Sequence, residues 1–588
     1  MRNILVPLLA ALLLAALPAT PARAADDDAT RLATLFADAW EFALAEDPLL
    51  ATSVGDNRAN DRLPSLTRDD LARRNAFDRK CLDRLAGIDR AKLSATDRTS
   101  YDVFRWQTAN SIEAYDRGTW RCSLTGDWGY HMEFAQLPSN VPLATTKDYE
   151  NYIARLRDFP RYNREQIALL AEGLRTGFTL PRIVLDGYDK TITAHIVADP
   201  AESVFFKPFA EFPQSVPAAD RARLADAGRA AIREAVVPAY RELFDFWIKQ
   251  YVPRARTTTA ASDLPDGREY YRFLIRQFTT LDLTPEKIHE LGLAEVARIH
   301  AEMEAVIRQT GFAGSFAEFL TFLRTDPRFR PSSGDALLRE ASWIAKRMDG
   351  QLPLLFGKLP RLPYGVQPVP ADVAPKFTGG RYIPAPADGS RAGFYWVNTY
   401  KPEGRTLYTL EALTLHEAVP GHHLQFALAR EMTGLPPFRR LVSVDAYSEG
   451  WALYSERLGL EVGFYQDPYS NFGRLTYEMW RACRLVVDTG IHYYGWTRQQ
   501  AMDYLASNTA LSLHECETET DRYISWPGQA LAYKIGELKI RELRARAEKA
   551  LGPRFDIRAF HDAVLGTGPV PLAILESEID AWIAANRQ

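Results

Sequence analysis

Thr414-Leu415-His416-Glu417-Ala418-Val419-Pro420-Gly421-His422-His423-Leu424-Gln425 is the most informative stretch of this 588-residue chain, and Ser448-Glu449-Gly450-Trp451-Ala452 follows it. A His-Glu pair, further histidines within two turns and a later Glu are the parts of a zinc peptidase site. In the usual H-E-x-x-H form, histidines at i and i+4 share one helical face and hold the metal. The Glu beside the first His is then the general base. Here position i+4 is Pro420. On an ideal helix His422 would lie roughly 240° round from His416 and about 9 Å along, and His423 about 10.5 Å along. Neither reaches a shared ion on a straight helix when zinc–nitrogen bonds are about 2.0–2.1 Å. Pro420 has no N–H to give to the His416 carbonyl, and Gly421 is permissive. The spacing therefore predicts a local bulge that carries His422 to the place of an i+4 histidine. His416, His422 and Glu449 are the expected ligands of one zinc ion, with His423 as alternate to His422, and Glu417 is the expected base. Glu456, two turns after Glu449, either orients a histidine ligand or faces solvent.

Working outward, Pro353–Pro402 is rich in Pro and Gly and carries β-like runs at 380–384 and 393–400. A strand just upstream of a zinc helix offers an edge to an extended substrate, and Asn398 is a candidate substrate contact there. The rest reads as helix. Leu32, Leu35, Phe36, Trp40 and Leu44 recur at helical spacing, and Thr284-Pro285 marks a helix start that runs to about Ile307. Downstream, His492, Tyr493 and Tyr533 are candidate oxyanion donors. Arg522 and Lys534 could receive a substrate carboxylate, with Tyr523 beside them.

Composition is that of an ordinary globular protein, 46% hydrophobic and 25% charged with a formal charge of −4, and no basic patch suggests nucleic acid. Met1-Arg2-Asn3, an apolar run to Pro18 and Ala22-Arg23-Ala24 read as a signal peptide over residues 1–24. The product is expected to be periplasmic or secreted, with no membrane attachment after cleavage. Four cysteines in an oxidising compartment permit disulfides, and proximity in sequence favours Cys81–Cys122 and Cys483–Cys516. No linker or repeat interrupts the chain, so 25–350 is read as an N-terminal helical lobe and 351–588 as the zinc-binding lobe of one compact unit.

Several long segments resemble the DUF885 family of bacterial proteins. They include Glu202–Phe209, Leu264–Gly267, Leu291–Arg298, His416–His423, Glu449–Ala452, Asp488–His492 and Arg522–Gln529. That family is similar to the gluzincin metallopeptidases. Gly421-His422 resembles the Gly-His that closes the zinc motif of oligopeptidases, and Glu449-Gly450-Trp451-Ala452 the segment giving the third ligand in aminopeptidases. The resemblance implies a mainly α, two-lobed metallopeptidase fold with a small β-sheet beside the zinc helix and a deep central cleft. It implies a peptidase acting on short peptides. A zinc amidase or esterase acting on cell-wall fragments, and a non-catalytic protein that keeps the zinc, are the alternatives.

Overall fold

A computed structural model describes residues 27–371, 374, 377–386 and 391–587, so the signal-peptide reading at 1–24 lies outside the described residues. The architecture is mainly helical with one small sheet. The first helix, Asp28–Glu46, buries Leu32, Leu35, Phe36 and Leu44 as their spacing predicts. Elements used below are labelled in chain order. Helix α1 spans Pro285–Thr310; Thr284 accepts from the Lys287 N–H, Pro285 sits in the first turn, and Gly311 in the left-handed region ends it.

The sheet holds β1 (Tyr364–Pro368), β2 (Gly380–Ile383) and β3 (Gly393–Val397) in the order β1-β3-β2. Strand β1 runs parallel to β3, and β2 antiparallel with Tyr382 opposite Tyr395. Among the described residues one side of β2 is therefore without a strand neighbour. The runs at 380–384 and 393–400 become β2 and β3, whereas β1 went unread because Pro and Gly interrupt its five residues.

Five helices follow that build the site, namely α2 (Leu410–Glu417), α3 (His422–Glu431), α4 (Asp445–Glu461), α5 (Pro468–His492) and α6 (Leu513–Ser525). A sixth, α7 (Leu531–Leu551), packs along α4. Helix α5 is buried almost throughout and lies against α1. Their closest approach is at Gly292, where an added Cβ would stand 2.8 Å from Leu485 and Val486 side-chain atoms. A similar contact joins α4 to α7, with the Gly450 Cβ position only 2.5 Å from the Gly536 backbone.

The two larger apolar clusters draw on both sides of residue 350. One joins Leu156, Phe205 and Tyr240 to Phe472 and Val486, and the other joins Ile275 and Ile344 to Leu415, Trp451 and Ile535. The four cysteines are free, which corrects both expected disulfides. Cys81 belongs to a small cluster under the N-terminal helices, apart from Cys122, while Cys483 and Cys516 pack as small apolar side chains in the large core. Among the described residues no helix is long and apolar enough to cross a membrane.

Candidate metal centre

The break at Pro420 is sharper than a bulge. Helix α2 stops at Glu417, Ala418 leaves helical geometry (φ −93°, ψ −108°), the Val419–Pro420 peptide is cis, and α3 begins afresh at His422. Gly421 is required because a Cβ there would collide with the carbonyl oxygens of His416 and Leu415. The turn is held from α4, where Trp451 Nε1 donates to the Pro420 carbonyl at 2.9 Å and Ser455 Oγ donates to it at 3.3 Å.

Restarting the helix brings His422 beside His416, their rings 4.8 Å apart and almost perpendicular. Glu449 Oε2 lies 3.5 Å from His416 Nε2 and 3.4 Å from His422 Nε2. Three ligand atoms on a tetrahedral zinc with bonds of about 2.0–2.1 Å stand roughly 3.3–3.4 Å apart. The donor set and its spacing therefore fit such an ion, and among the described residues Glu449 Oε2 has no hydrogen-bond partner.

Electrostatics point the same way. Burial works against charge on His416, yet the nearby Glu449 and Glu456 carboxylates push it up to about 9. Burial likewise raises Glu449, but His422 and His416 outweigh it and hold the carboxyl well below its usual range. The pocket thus favours a cation among its carboxylates. Glu456 is buried, and its Oε1 accepts from His416 Nδ1 at 2.8 Å. That bond fixes the ring so that Nε2 faces Glu449, the nitrogen that would ligate an ion once its proton is displaced. The solvated alternative for Glu456 is thereby excluded.

Glu417 is buried beside His416, and its Oε2 accepts from the Tyr382 N–H at 2.8 Å. The strandless side of β2 therefore runs past this carboxylate. His423 turns away from the cluster. Its Nδ1 pairs with the Tyr382 hydroxyl at 2.9 Å, and burial lowers it to about 4 against the opposing effect of a bond to the Leu362 backbone.

Several other candidates are committed elsewhere. His492 is fully buried, with Nδ1 accepting from the Ala261 N–H and Nε2 donating to the Tyr523 carbonyl, so neither nitrogen is left for an oxyanion. Tyr493 ends α5 and gives its hydroxyl to Glu286 of α1. Asn398 spends Nδ2 on the carbonyls of Ala374, Phe377 and Thr378, and Oδ1 on the Tyr400 N–H. Lys534 is fully buried among Glu295, Glu478 and Glu537 at 3.0, 3.1 and 2.9 Å, where no substrate carboxylate reaches it. The Tyr523 hydroxyl accepts from Trp480 Nε1 and Arg484 Nε, both at 2.9 Å, inside the core.

Arg522 differs in keeping a partly exposed side chain, although its Nη2 donates to Gln529 Oε1 at 2.7 Å. Arg522 donates to the Tyr533 hydroxyl at 3.2 Å, and Asp445, one turn before Glu449 on α4, feels both Glu449 and Arg522. Burial and then Glu449 raise the Asp445 carboxyl to about 6. Arg481 lies 3.6 Å from Glu456. Asp445, Arg481 and Tyr382 were not singled out from sequence. Asp445 stands one helical turn before Glu449, a spacing that was open to reading, whereas nothing local marks Arg481 or Tyr382.

A family model described as "Bacterial protein of unknown function (DUF885)" matches residues 48–579. The chain belongs to this family. A crystal structure described as that of "the putative lipoprotein from Colwellia psychrerythraea" superposes on the DUF885 chain with a TM-score of 0.89 and 29% identity, covering 95% of this chain and 100% of that one. A second, described as "a putative lipoprotein of unknown function from Shewanella oneidensis", shares the fold with a TM-score of 0.70 at 18% identity, over 94% of this chain and 99% of the other. No curated protein matches the DUF885 chain.

Proposed function

We propose that this protein is an exported, zinc-dependent peptidase of gluzincin type that cuts short peptides in the periplasm or outside the cell, with two helical lobes about a cleft. The observation that carries the reading is the convergence of His416 Nε2, His422 Nε2 and Glu449 Oε2 beside the Glu417 carboxylate. Two imidazoles and one carboxylate suit zinc. Zinc held by these residues would polarise a scissile carbonyl and acidify a water.

Glu417 takes the proton of the attacking water and passes it to the leaving amine. The Tyr382 N–H fixes one of its oxygens and leaves the other for that transfer. Glu456 holds the imidazole of His416 in the ligating tautomer. Of the groups expected to receive the oxyanion, Tyr533 is retained, because His492 and Tyr493 are spent elsewhere. Substrate in extended form would lie along the strandless side of β2. Export is supported by the signal-peptide pattern over residues 1–24 and by the Colwellia psychrerythraea relative described as a "putative lipoprotein".

The experiment is oligopeptide hydrolysis by zinc-loaded wild type and Glu417→Gln. The variant should keep its zinc and lose turnover. Undiminished hydrolysis by it would remove Glu417 from the reaction.

A further inference from the structure

Arg481, Arg484 and Arg522 surround one phenol ring. Their guanidinium carbons lie 5.9, 4.2 and 6.0 Å from the ring centroid of Tyr533. Arg481 and Arg484, about one turn apart on α5, also stack on Trp480 at 4.2 and 4.3 Å. Both are more than nine-tenths buried, at 4% and 1% exposure.

Direct anionic partners are few. Arg484 donates to Glu519 at 2.8 Å, and Arg522 lies 3.6 Å from the same carboxylate. Arg481 lies 3.6 Å from Glu456, the carboxylate already bonded to His416. Asp445 and Asp127 act on Arg522 through space without forming an ion pair with it. Among the described residues Arg481 Nε and Arg484 Nη1 have no hydrogen-bond partner. Three buried or half-buried cations therefore have two carboxylates as direct partners, one of them engaged by a candidate ligand, with Asp445 and Asp127 acting only through space. Idle guanidinium donors in such surroundings are costly unless an anion meets them.

The cluster adjoins the metal centre through Arg481, which reaches it by way of Glu456 and His416. Asp445, which precedes Glu449 on α4, acts on Arg522 through space. Arg522 and Glu449 also keep partly exposed side chains, at 17% and 21%.

We propose that the partly exposed Arg522, backed by the buried Arg481 and Arg484 around the Tyr533 ring, forms a carboxylate-binding subsite that anchors an anionic end of the substrate beside the candidate zinc centre. Direct ion pairing leaves the three guanidiniums one carboxylate short, which suits a carboxylate better than the larger charge of a phosphate. Its fork of donors over an aromatic floor matches a planar anion. The substrate class becomes short peptides that carry a carboxylate close to the scissile bond, either the free C-terminus or an acidic side chain. That assignment of substrate rests on the peptidase reading; the subsite itself does not.

The test is calorimetric binding to zinc-loaded, full-length Glu417→Gln protein, which removes turnover from the readout. Three probes are compared: trialanine, trialanine amide, and Ala-Ala-Glu with an amidated C-terminus. The proposal expects one or both carboxylate-bearing peptides to bind roughly ten- to hundredfold tighter than trialanine amide, and the one preferred identifies the source of the anion. Adding Arg522→Met should erase the difference, and Arg522→Lys should restore part of it, with zinc content unchanged in both. Equal binding of all three peptides would overturn the subsite, as would a preference that survives Arg522→Met. The comparison in Glu417→Gln alone decides the matter should the arginine variants fold poorly. Preferential binding without any hydrolysis by wild type would sink the peptidase reading and leave the subsite standing.

Discussion

His416 Nδ1 is bonded to Glu456 Oε1 at 2.8 Å, with both side chains buried. The bond joins α2 to α4, the two helices that carry the first and third candidate ligands, and it decides which ring nitrogen faces the other two. Glu456→Gln keeps the shape but removes the charge that holds the tautomer. Zinc affinity should fall about 10- to 100-fold, read by chelator competition on folded protein. Unchanged affinity would mean that the carboxylate plays no part in orienting the ligand.

Gly421 turns the chain where any Cβ would strike the carbonyls that close α2. Gly421→Ala should therefore force His422 away from His416 and cost about 1–3 kcal/mol of stability. Urea denaturation and zinc content measured together check both halves. An alanine variant with native zinc content would show that the turn tolerates the side chain.

Lys534 reads as a substrate group in sequence and as a structural cation in the fold. Lys534→Met leaves Glu295 and Glu537 short of a partner, so it should destabilise by about 3–5 kcal/mol while zinc affinity in the folded fraction stays at the wild-type level. Thermal denaturation with and without zinc tests this. A variant as stable as wild type would contradict the buried network.

Burial lowers His131, His492 and His561 from their ordinary value to about 3. Each is neutral in the folded protein and takes up a proton on unfolding. Their contribution is complete above the unfolded value near 6.5, falls as the pH drops below it, and is lost by about pH 3. In chelator-treated protein stability should decline on acidification by about 1.4 kcal/mol per pH unit for each group. Unfolding near pH 5 should take up at least three protons that are not taken up near pH 8. A flat stability profile between those values would contradict the neutral buried imidazoles.

What sequence reveals about this chain follows from which signals are local. Thr284-Pro285 caps a helix by its own chemistry, and the period of Leu32, Leu35, Phe36 and Leu44 is the period of the surface it buries. The convergence of His416, His422 and Glu449 was legible because Pro420 and Gly421 rule out a straight helix, although the outcome is two helices and not one bulged helix. Residues such as His492, Asn398 and Lys534 were misread for a common reason. Their types suit binding, but tertiary partners consume every polar atom that would have done it. For Lys534 a cue did exist, since Glu537 stands three residues on along the same helix. Arg481 and Arg484 carry no such cue. Only the packing of α5 against α7 shows that they meet at Tyr533.

The central claim is that His416, His422 and Glu449 together hold one zinc ion. Elemental analysis of purified wild type, His422→Ala and His423→Ala tests it most directly. A single zinc per chain in wild type and His423→Ala, with almost none in His422→Ala, is the predicted result. Full occupancy in His422→Ala, or no metal in wild type after zinc loading, would contradict it.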